Sequence, residues 1–564
     1  MPRPGRFPLC RGQHTPIVGS FRLSARAPNT VAVPWRLVST PEPAADERDP
    51  VAHPLLARTE VLLVGTCVLA GSILRFTPST PLWLDEALSV NIASARLGDI
   101  ATMLRHDGHP PLYYYILHVW IALFGTSAFA VRSLSGLVGL ATMAMLYVVA
   151  RRLGGTRVAR TSVAVLAVLP FGIRYSSEAR MYELVSLLSL VGWWCIDWAL
   201  FRPKERSGSV PRAALVALWL TAGALLLTHY WAIFFLAAVG IALVAGAWRA
   251  DSTRRRAEFV QVIIAIVAGG VWFVPWLSAF AYQSAHTGTP WAPPSRPTRI
   301  VSESLIDWAG GIDPEAVLLL VALTLTAAVG LFGRVGAGGN VEIGAIEPGW
   351  RRRALWVIGA TLAIGGAAST ASSSAFAGRY SSVVMPFFIL LVGTGIAAFP
   401  RVAVRVSLLA MIAILGMGAV AIALVHDRTQ AGATAAVLRA QAEPGDIVVA
   451  CPDQLGPALA RLVHLNGVRV VRYPDLGDPH IVDWVDYKER IGSVSVAATA
   501  DRILAEAGSH TIWLAWSGSY RFVGPHCDEL AARLAAARPG PPPAVQADPV
   551  KYFEAESLIR LAAH

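Results

Sequence analysis

Apolar residues run along most of the chain in blocks of about 17 to 25, the length a helix needs to cross the hydrocarbon core of a bilayer. Such blocks lie near residues 60–76, 127–150, 158–175, 182–201, 213–229, 230–249, 258–279, 313–334, 354–371, 381–399 and 405–425, and they predict eleven membrane spans. The apolar stretch 111–125 is shorter and is read as an interfacial or re-entrant helix instead. Pro111 suits its first turn, and Tyr113, Tyr114, Tyr115 and Trp120 are residue types that favour the headgroup level. After residue 425 the pattern changes. Strand-length apolar runs, GDIVVA (445–450), VRVVRY (468–473) and HTIWLAW (510–516), alternate with the helical stretches QLGPALARLVHL (454–465) and TADRILAEAG (499–508). That alternation predicts a small α/β domain built on a parallel sheet. GRVGAGGN (333–340) has no preceding strand and reads as a flexible linker, not a phosphate loop.

Composition agrees with the spans: of 564 residues 54% are hydrophobic and only 15% charged, against about 25% charged in a soluble domain. The net charge of +11 is not a nucleic-acid footprint, because the arginines sit in short groups between apolar blocks. With the N-terminus inside, the groups at 151–160, 202–212, 254–256, 351–353 and 401–405 all fall on the cytoplasmic side. Counting 111–125 as a span would invert every later group. Residues 1–59 hold eight arginines and no apolar core, so they are no signal peptide. They are expected to be a disordered basic cytoplasmic arm, or sequence upstream of the true start. A transmembrane domain at 60–425, with its first outer loop at 77–126, and an extracytoplasmic α/β domain at 426–564 complete the organisation. Of five cysteines only Cys451 and Cys527 fall in the polar C-terminal part; a disulfide between them and two free thiols both fit the sequence.

This topology gathers unusual polar residues on one membrane face. Asp85, Glu86 and His109 lie in the first outer loop, Glu178 and Arg180 at the second outer turn, His229 and Tyr230 at a helical hairpin tip, Trp291 in a long outer loop at 280–312, and Arg379 in a fourth. A synthetic reaction on that face needs an activated substrate delivered through the bilayer, such as a sugar on a polyprenyl phosphate. Phosphate is a competent leaving group once cations and hydrogen-bond donors receive its charge. The acceptor hydroxyl needs a base. One carboxylate opposite the leaving group, with Arg, His and Tyr around it, suffices for single-displacement transfer with inversion. The competing reading is a transporter or flippase of a lipid-linked envelope precursor. That class concentrates ionisable residues and broken helices near the midplane, whereas these spans are mostly uncharged.

LWLDEA (82–87), HPPLYYYILHVW (109–120), AVRSLSGLVGLATMAMLYVVARRLGG (130–155) and SSEARMY (176–182), in that order, resemble the GT-C superfamily of integral membrane glycosyltransferases. Within it they are most similar to glycosyltransferase family 39, the protein O-mannosyltransferases and aminoarabinose-transferase-like enzymes, over about residues 60–400. The resemblance implies a mainly α-helical GT-C fold and a polyprenyl-phosphate sugar donor, with mannose or arabinose natural for the GC-rich bacterial plasma membrane that the composition suits. It implies that Asp85 is the base or orients the acceptor, and that Glu86 is a second acid. His109, Arg132, Arg180, Tyr182 and Arg379 match positions near the donor phosphate, and Glu178 a second-loop acid. His229 and Tyr230 are candidates for a divalent metal or the donor sugar, and Trp291 for stacking on a sugar ring. Each has a plainer reading: Asp85 as a helix cap, Glu178 and Arg180 as a surface pair, Arg132 and Arg379 as headgroup anchors, His229 and Tyr230 as interface-belt residues. A non-catalytic GT-C-like scaffold is a further alternative. The chain lacks the carbohydrate-binding module of eukaryotic protein O-mannosyltransferases, so a glycan, lipid or protein acceptor all stay open.

Overall fold

The computed structural model describes residues 54–78, 80–201, 209–288, 296–336, 340–371, 375–425 and 427–562. Most of the predicted N-terminal arm, and Trp291, lie outside the described residues. Everything described belongs to one compact unit, Pro34–His564.

The membrane part runs α1 (Pro54–Leu74), α2 (Leu84–Ala93), α3 (Ile100–Asp107), α4 (Leu112–Phe124), α5 (Ala128–Val168), α6 (Pro170–Ser176), α7 (Tyr182–Leu200), α8 (Arg212–Thr228), α9 (Trp231–Trp248), α10 (Thr253–Gly269), α11 (Leu277–His286), α12 (Pro297–Ala309), α13 (Pro314–Phe332), α14 (Trp350–Ala371), α15 (Met385–Ala397) and α16 (Val402–Val425). Among the described residues eight helices are long and apolar enough to cross a membrane, while α4, α8 and α15 are shorter apolar helices. All eleven predicted blocks fall on helices. The block 127–150 and the first part of 158–175 share the 41 residues of α5, which is broken at Gly155 by a backbone φ of 79° that favours glycine, and the rest of 158–175 falls on α6. Ser127 starts that helix by accepting the Ala130 N–H at 3.3 Å. The long loop predicted at 280–312 is largely the helices α11 and α12.

α15 explains how the bundle closes. It is apolar on every side, and every one of its residues is buried, the signature of a central helix. Its packing against α13 needs glycine: a Cβ on Gly395 would stand 1.8 Å from the Thr326 carbonyl oxygen. Of the linker expected at 333–340, residues 337–339 lie outside the described residues and Gly333–Val335 form β1, which pairs with β2 (Val341–Ile343) and sets Arg334 opposite Glu342; opposite charges across an antiparallel pair favour this register.

The C-terminal part comprises α17 (Ala431–Gln441), β3 (Ile447–Cys451), α18 (Gly456–Leu462), β4 (Arg469–Arg472), α19 (Tyr487–Gly492), α20 (Val496–Ala507), β5 (Ile512–Trp516), α21 (Gly524–Ala537) and β6 (Ser557–Leu561). The sheet order is β4-β3-β5-β6. The three predicted strands pair in parallel, and β6 adds an antiparallel edge that the sequence pattern did not reveal. Cys451 and Cys527 form a disulfide. One face of the sheet shares its apolar core with Trp83, Leu84 and Leu88. Helix α2, which carries Asp85, is therefore embedded in the C-terminal part as well as in the membrane bundle.

Candidate active site

Asp85 lies in the first turn of α2, one residue inside the helix. The helix is capped at Trp83 without any side-chain bond, so Asp85 is not the cap that its sequence context allowed. Its Oδ2 stands 3.4 Å from Arg379 Nη2 and 3.9 Å from Arg180 Nη2. That oxygen accepts no hydrogen bond among the described residues, although the side chain is only 18% exposed. Burial alone would raise the carboxyl, but Arg180, Arg379 and His109 outweigh it and hold Asp85 below the usual carboxylate range. A buried, ionised oxygen left without a hydrogen bond is uncommon and calls for an explanation.

Arg180 joins Asp85 to a second group. Its Nη1 donates to Ser89 Oγ at 3.0 Å and to the Asp85 carbonyl at 3.3 Å, and its Nη2 donates to His109 Nε2 at 3.1 Å. Arginine can only donate, so the proton of a neutral His109 sits on Nδ1, which donates to Asp107 Oδ2 at 2.8 Å. The Tyr114 hydroxyl donates to the same oxygen at 3.0 Å. Gly108, left-handed at φ 90°, turns the chain between α3 and His109. Below Arg180 a small cleft of about 60 Å³ opens between α4, α5 and α7. Apart from Arg180, Tyr113 and Ser135 its walls are apolar: Ile116, Leu134, Val138 and Leu184.

Glu178 lies on the other flank. Its Oε1 accepts from Arg428 Nη2 at 2.5 Å and Arg174 Nε at 3.3 Å. Arg174 also reaches Asp307 at 3.5 Å, and the Tyr175 hydroxyl donates to Asp307 Oδ2 at 3.0 Å. Tyr182 is buried between the guanidinium groups of Arg180 and Arg379, 5.8 and 5.9 Å from its ring. Its hydroxyl has no partner among the described residues. His229 packs on Tyr182 and Tyr380 and accepts the Trp231 N–H through Nδ1. Burial first, then its neighbours His109, Arg180 and Arg379, push its pKa well below the ordinary value, so it is neutral.

Three predicted residues are placed differently. Glu86 is fully buried, and Arg132 clasps it with Nε at 2.8 Å and Nη2 at 2.6 Å while the Ala179 N–H donates at 2.9 Å. Arg132 spends its remaining donors on the carbonyls of Pro78, Thr80 and Pro81. This pair pins the first outer loop to α5 and presents no free group to a substrate. Tyr230 turns away toward α11, bonding to Gln283 and receiving Trp276 Nε1 at 3.0 Å. Nor does the donor set fit a divalent metal: no three His, Cys, Asp or Glu side chains converge among the described residues, and arginine or histidine already bridges the nearest carboxylates.

Arg174, Asp307 and Arg428 join the site without having been singled out from sequence, and Asp107 and Tyr114 join it without having been among the site candidates. Asp107 two positions before His109, and Arg174 four before Glu178, carried a spacing signal. Arg428, just past the final apolar block, and Asp307 carried none. The C-terminal part also closes on the loops: His106 pairs with Asp483 at 3.0 Å, His286 with Asp486 at 3.0 Å, and Arg461 donates to Asn91 at 3.0 Å.

The family model for dolichyl-phosphate-mannose-protein mannosyltransferases matches residues 108–278, which include His109, Glu178 and Arg180 but not Asp85 or Arg379. No curated protein sequence matches the chain. Among solved structures it is similar to ArnT from Cupriavidus metallidurans in the apo state, at 13% identity and a TM-score of 0.55, covering 89% of this chain and 98% of that one. It is also similar to the same protein bound to undecaprenyl phosphate, at 14% identity and a TM-score of 0.51, covering 89% and 97%. The chain thus has the ArnT-like GT-C fold and resembles glycosyltransferase family 39.

Proposed function

We propose that this protein is a membrane glycosyltransferase that moves a sugar, mannose or arabinose, from a polyprenyl-phosphate donor to a hydroxyl acceptor on the extracytoplasmic face, with inversion and with Asp85 as base. The observation that carries this reading is the Asp85 Oδ2 atom, ionised and without a hydrogen bond between Arg180 and Arg379. The apolar cleft beneath Arg180 suits the first isoprenes of the donor, with the phosphate against Arg180 and His109. ArnT, of the same fold, has been crystallised with undecaprenyl phosphate, a lipid of the class proposed here.

In this mechanism the acceptor hydroxyl hydrogen-bonds to Asp85 Oδ2 and attacks the anomeric carbon. A new C–O bond forms as the bond to the phosphate oxygen breaks. The electron pair leaves with polyprenyl phosphate, whose charge Arg180 receives, and the proton passes to Asp85. A carboxylate held low by arginines is a weak base. The donor phosphate corrects this by competing for the same guanidinium groups, which raises Asp85 as the complex forms. Glu86 and Arg132 position the loop, and Tyr182 offers its unsatisfied hydroxyl to the donor.

The test is transfer of radiolabelled sugar from polyprenyl-phosphate mannose and polyprenyl-phosphate arabinose in membranes with wild type or Asp85→Asn at equal expression. Product from wild type and almost none from the variant is expected. Equal product from both would remove Asp85 from the chemistry.

A further inference from the structure

The charged side chains around Asp85 form two groups, one on its Arg180 side and one on its Arg379 side. Asp107 feels His109 and Arg180, whereas Asp307 feels Arg174, Arg379 and Arg428. The first group borders the apolar cleft and belongs with the lipid donor. The second is reached from Asp85 through Arg379 and includes Arg428, which lies beyond the last membrane helix. An inverting displacement needs its nucleophile on the face of the sugar opposite the phosphate. The second group occupies the flank of Asp85 from which such a nucleophile would come.

Its chemistry narrows what that nucleophile belongs to. Arg174, Arg428, Glu178 and Asp307 alternate donor and acceptor within hydrogen-bond or ion-pair distance of one another. A sugar hydroxyl both donates and accepts, so this alternation satisfies a pair of hydroxyls. A phosphate or carboxylate wants donors alone and is repelled by the two acids. At the rim stands Phe553, 74% exposed, in a T-shaped contact with Trp83 and 6.0 Å from the Arg428 guanidinium. An exposed aromatic ring beside alternating polar groups offers the apolar C–H face of a sugar a surface to lie on.

We infer that Arg174, Glu178, Asp307, Arg428 and Phe553 form the acceptor subsite, and that it takes a neutral, hydroxyl-rich glycan. This rests on the reading of Asp85 as the transfer base. Two of the five residues, Arg428 and Phe553, come from beyond the last membrane helix, so the subsite is complete only with the C-terminal part docked. Acceptor selection is then what that part contributes to the reaction.

The experiment separates binding from turnover by using full-length Asp85→Asn protein in detergent, which holds ligands without reacting. Octyl α-mannoside and octyl α-arabinofuranoside serve as neutral probes, dioleoyl phosphatidic acid as an anionic one and a Ser/Thr hexapeptide as a protein-like one, with binding read by titration calorimetry. Saturable binding of a glycoside is expected. Phe553→Ala and Asp307→Asn, each added to that protein, should weaken it at least tenfold while binding of polyprenyl phosphate changes less than twofold. Glycoside binding that neither change weakens would overturn the subsite. Binding of phosphatidic acid or the peptide in place of the glycosides would overturn the acceptor class. Neither result depends on turnover, so failure of the transfer reading appears separately, as absence of product with wild-type protein.

Discussion

The carboxylate of Glu554 accepts the backbone N–H of Leu84, at 3.1 and 3.2 Å to its two oxygens, from 470 positions further along the chain. Leu84 opens α2 and Asp85 follows it, so a residue of the C-terminal part supplies the cap that Trp83 cannot. Burial, and then the charge of Asp85, push Glu554 well above the ordinary carboxyl range. A neutral acid still accepts an N–H through its carbonyl oxygen.

Glu554→Gln, which keeps that oxygen, should therefore retain transfer activity within about twofold at pH 7. Glu554→Ala should lose about 1 kcal/mol of capping and lower kcat by about ten- to a hundredfold, since small displacements of a reacting group are costly. Steady-state kinetics on purified variants check this. Equal losses in both would show that charge, and not the cap, is what Glu554 provides.

Glu86 and Arg132 give a different expectation. Both are buried, and each is the other's main partner. Removing one leaves an uncompensated buried charge, at about 3–5 kcal/mol. Glu86→Leu and Arg132→Leu should each sharply reduce the yield of folded protein, and the double variant should recover part of it. Size-exclusion profiles of detergent extracts provide the comparison. A double variant no better than either single one would mean that the pair acts through something besides its charges.

These two acids also show what the sequence could and could not disclose. Asp85 and Glu86 are adjacent, both acidic, both in the first outer loop, and nothing local distinguishes them. Helix geometry does, because neighbouring residues on α2 point about 100° apart, toward Arg379 for one and Arg132 for the other. The spans and the three parallel strands were legible because period and length carry them. The antiparallel β6, the bond from Glu554 to Leu84 and the place of Arg428 beside Glu178 were not. Each depends on a contact between parts of the chain far apart in sequence, and no local pattern encodes such a contact. Arg132 looked like a phosphate ligand for the same reason: its partner Glu86 is 46 positions away.

The pH dependence of transfer should carry the imprint of Asp85. Arg180, Arg379 and His109 outweigh burial and hold it below the usual carboxylate range in the free protein, so the acidic limb of kcat/KM should fall below about pH 4. In the donor complex the phosphate draws on the same arginines, and the acidic limb of kcat should lie at higher pH. Arg379→Gln should move the kcat/KM limb upward, because one of the cations stabilising the carboxylate is gone. Rate profiles carried down to the acid limit of the protein's stability, with wild type and the variant, test the assignment. An acidic limb of kcat/KM unmoved by Arg379→Gln would detach it from Asp85.

Glu556, two residues beyond Glu554, is fully buried, and its backbone N–H is held by Gln430 Oε1 at 3.2 Å. Burial pushes its carboxyl up from 4.5 to about 7, and the Thr434 hydroxyl beside it offsets only part of this. A carboxyl raised on folding favours the native state while it is protonated. Its contribution is therefore fully present below about pH 4.5 and lost as pH rises through about 7. The loss amounts to about 3 kcal/mol at pH 8. Thermal unfolding followed by tryptophan fluorescence should show wild-type protein losing stability between pH 5 and pH 8. Glu556→Gln, which is neutral throughout, should flatten most of that slope and exceed wild type at pH 8; Glu554, raised in the same direction, leaves a residual slope. A wild-type protein more stable at pH 8 than at pH 5 would mean that Glu556 is ionised in the folded state, and the C-terminal part would then need a cation beside it.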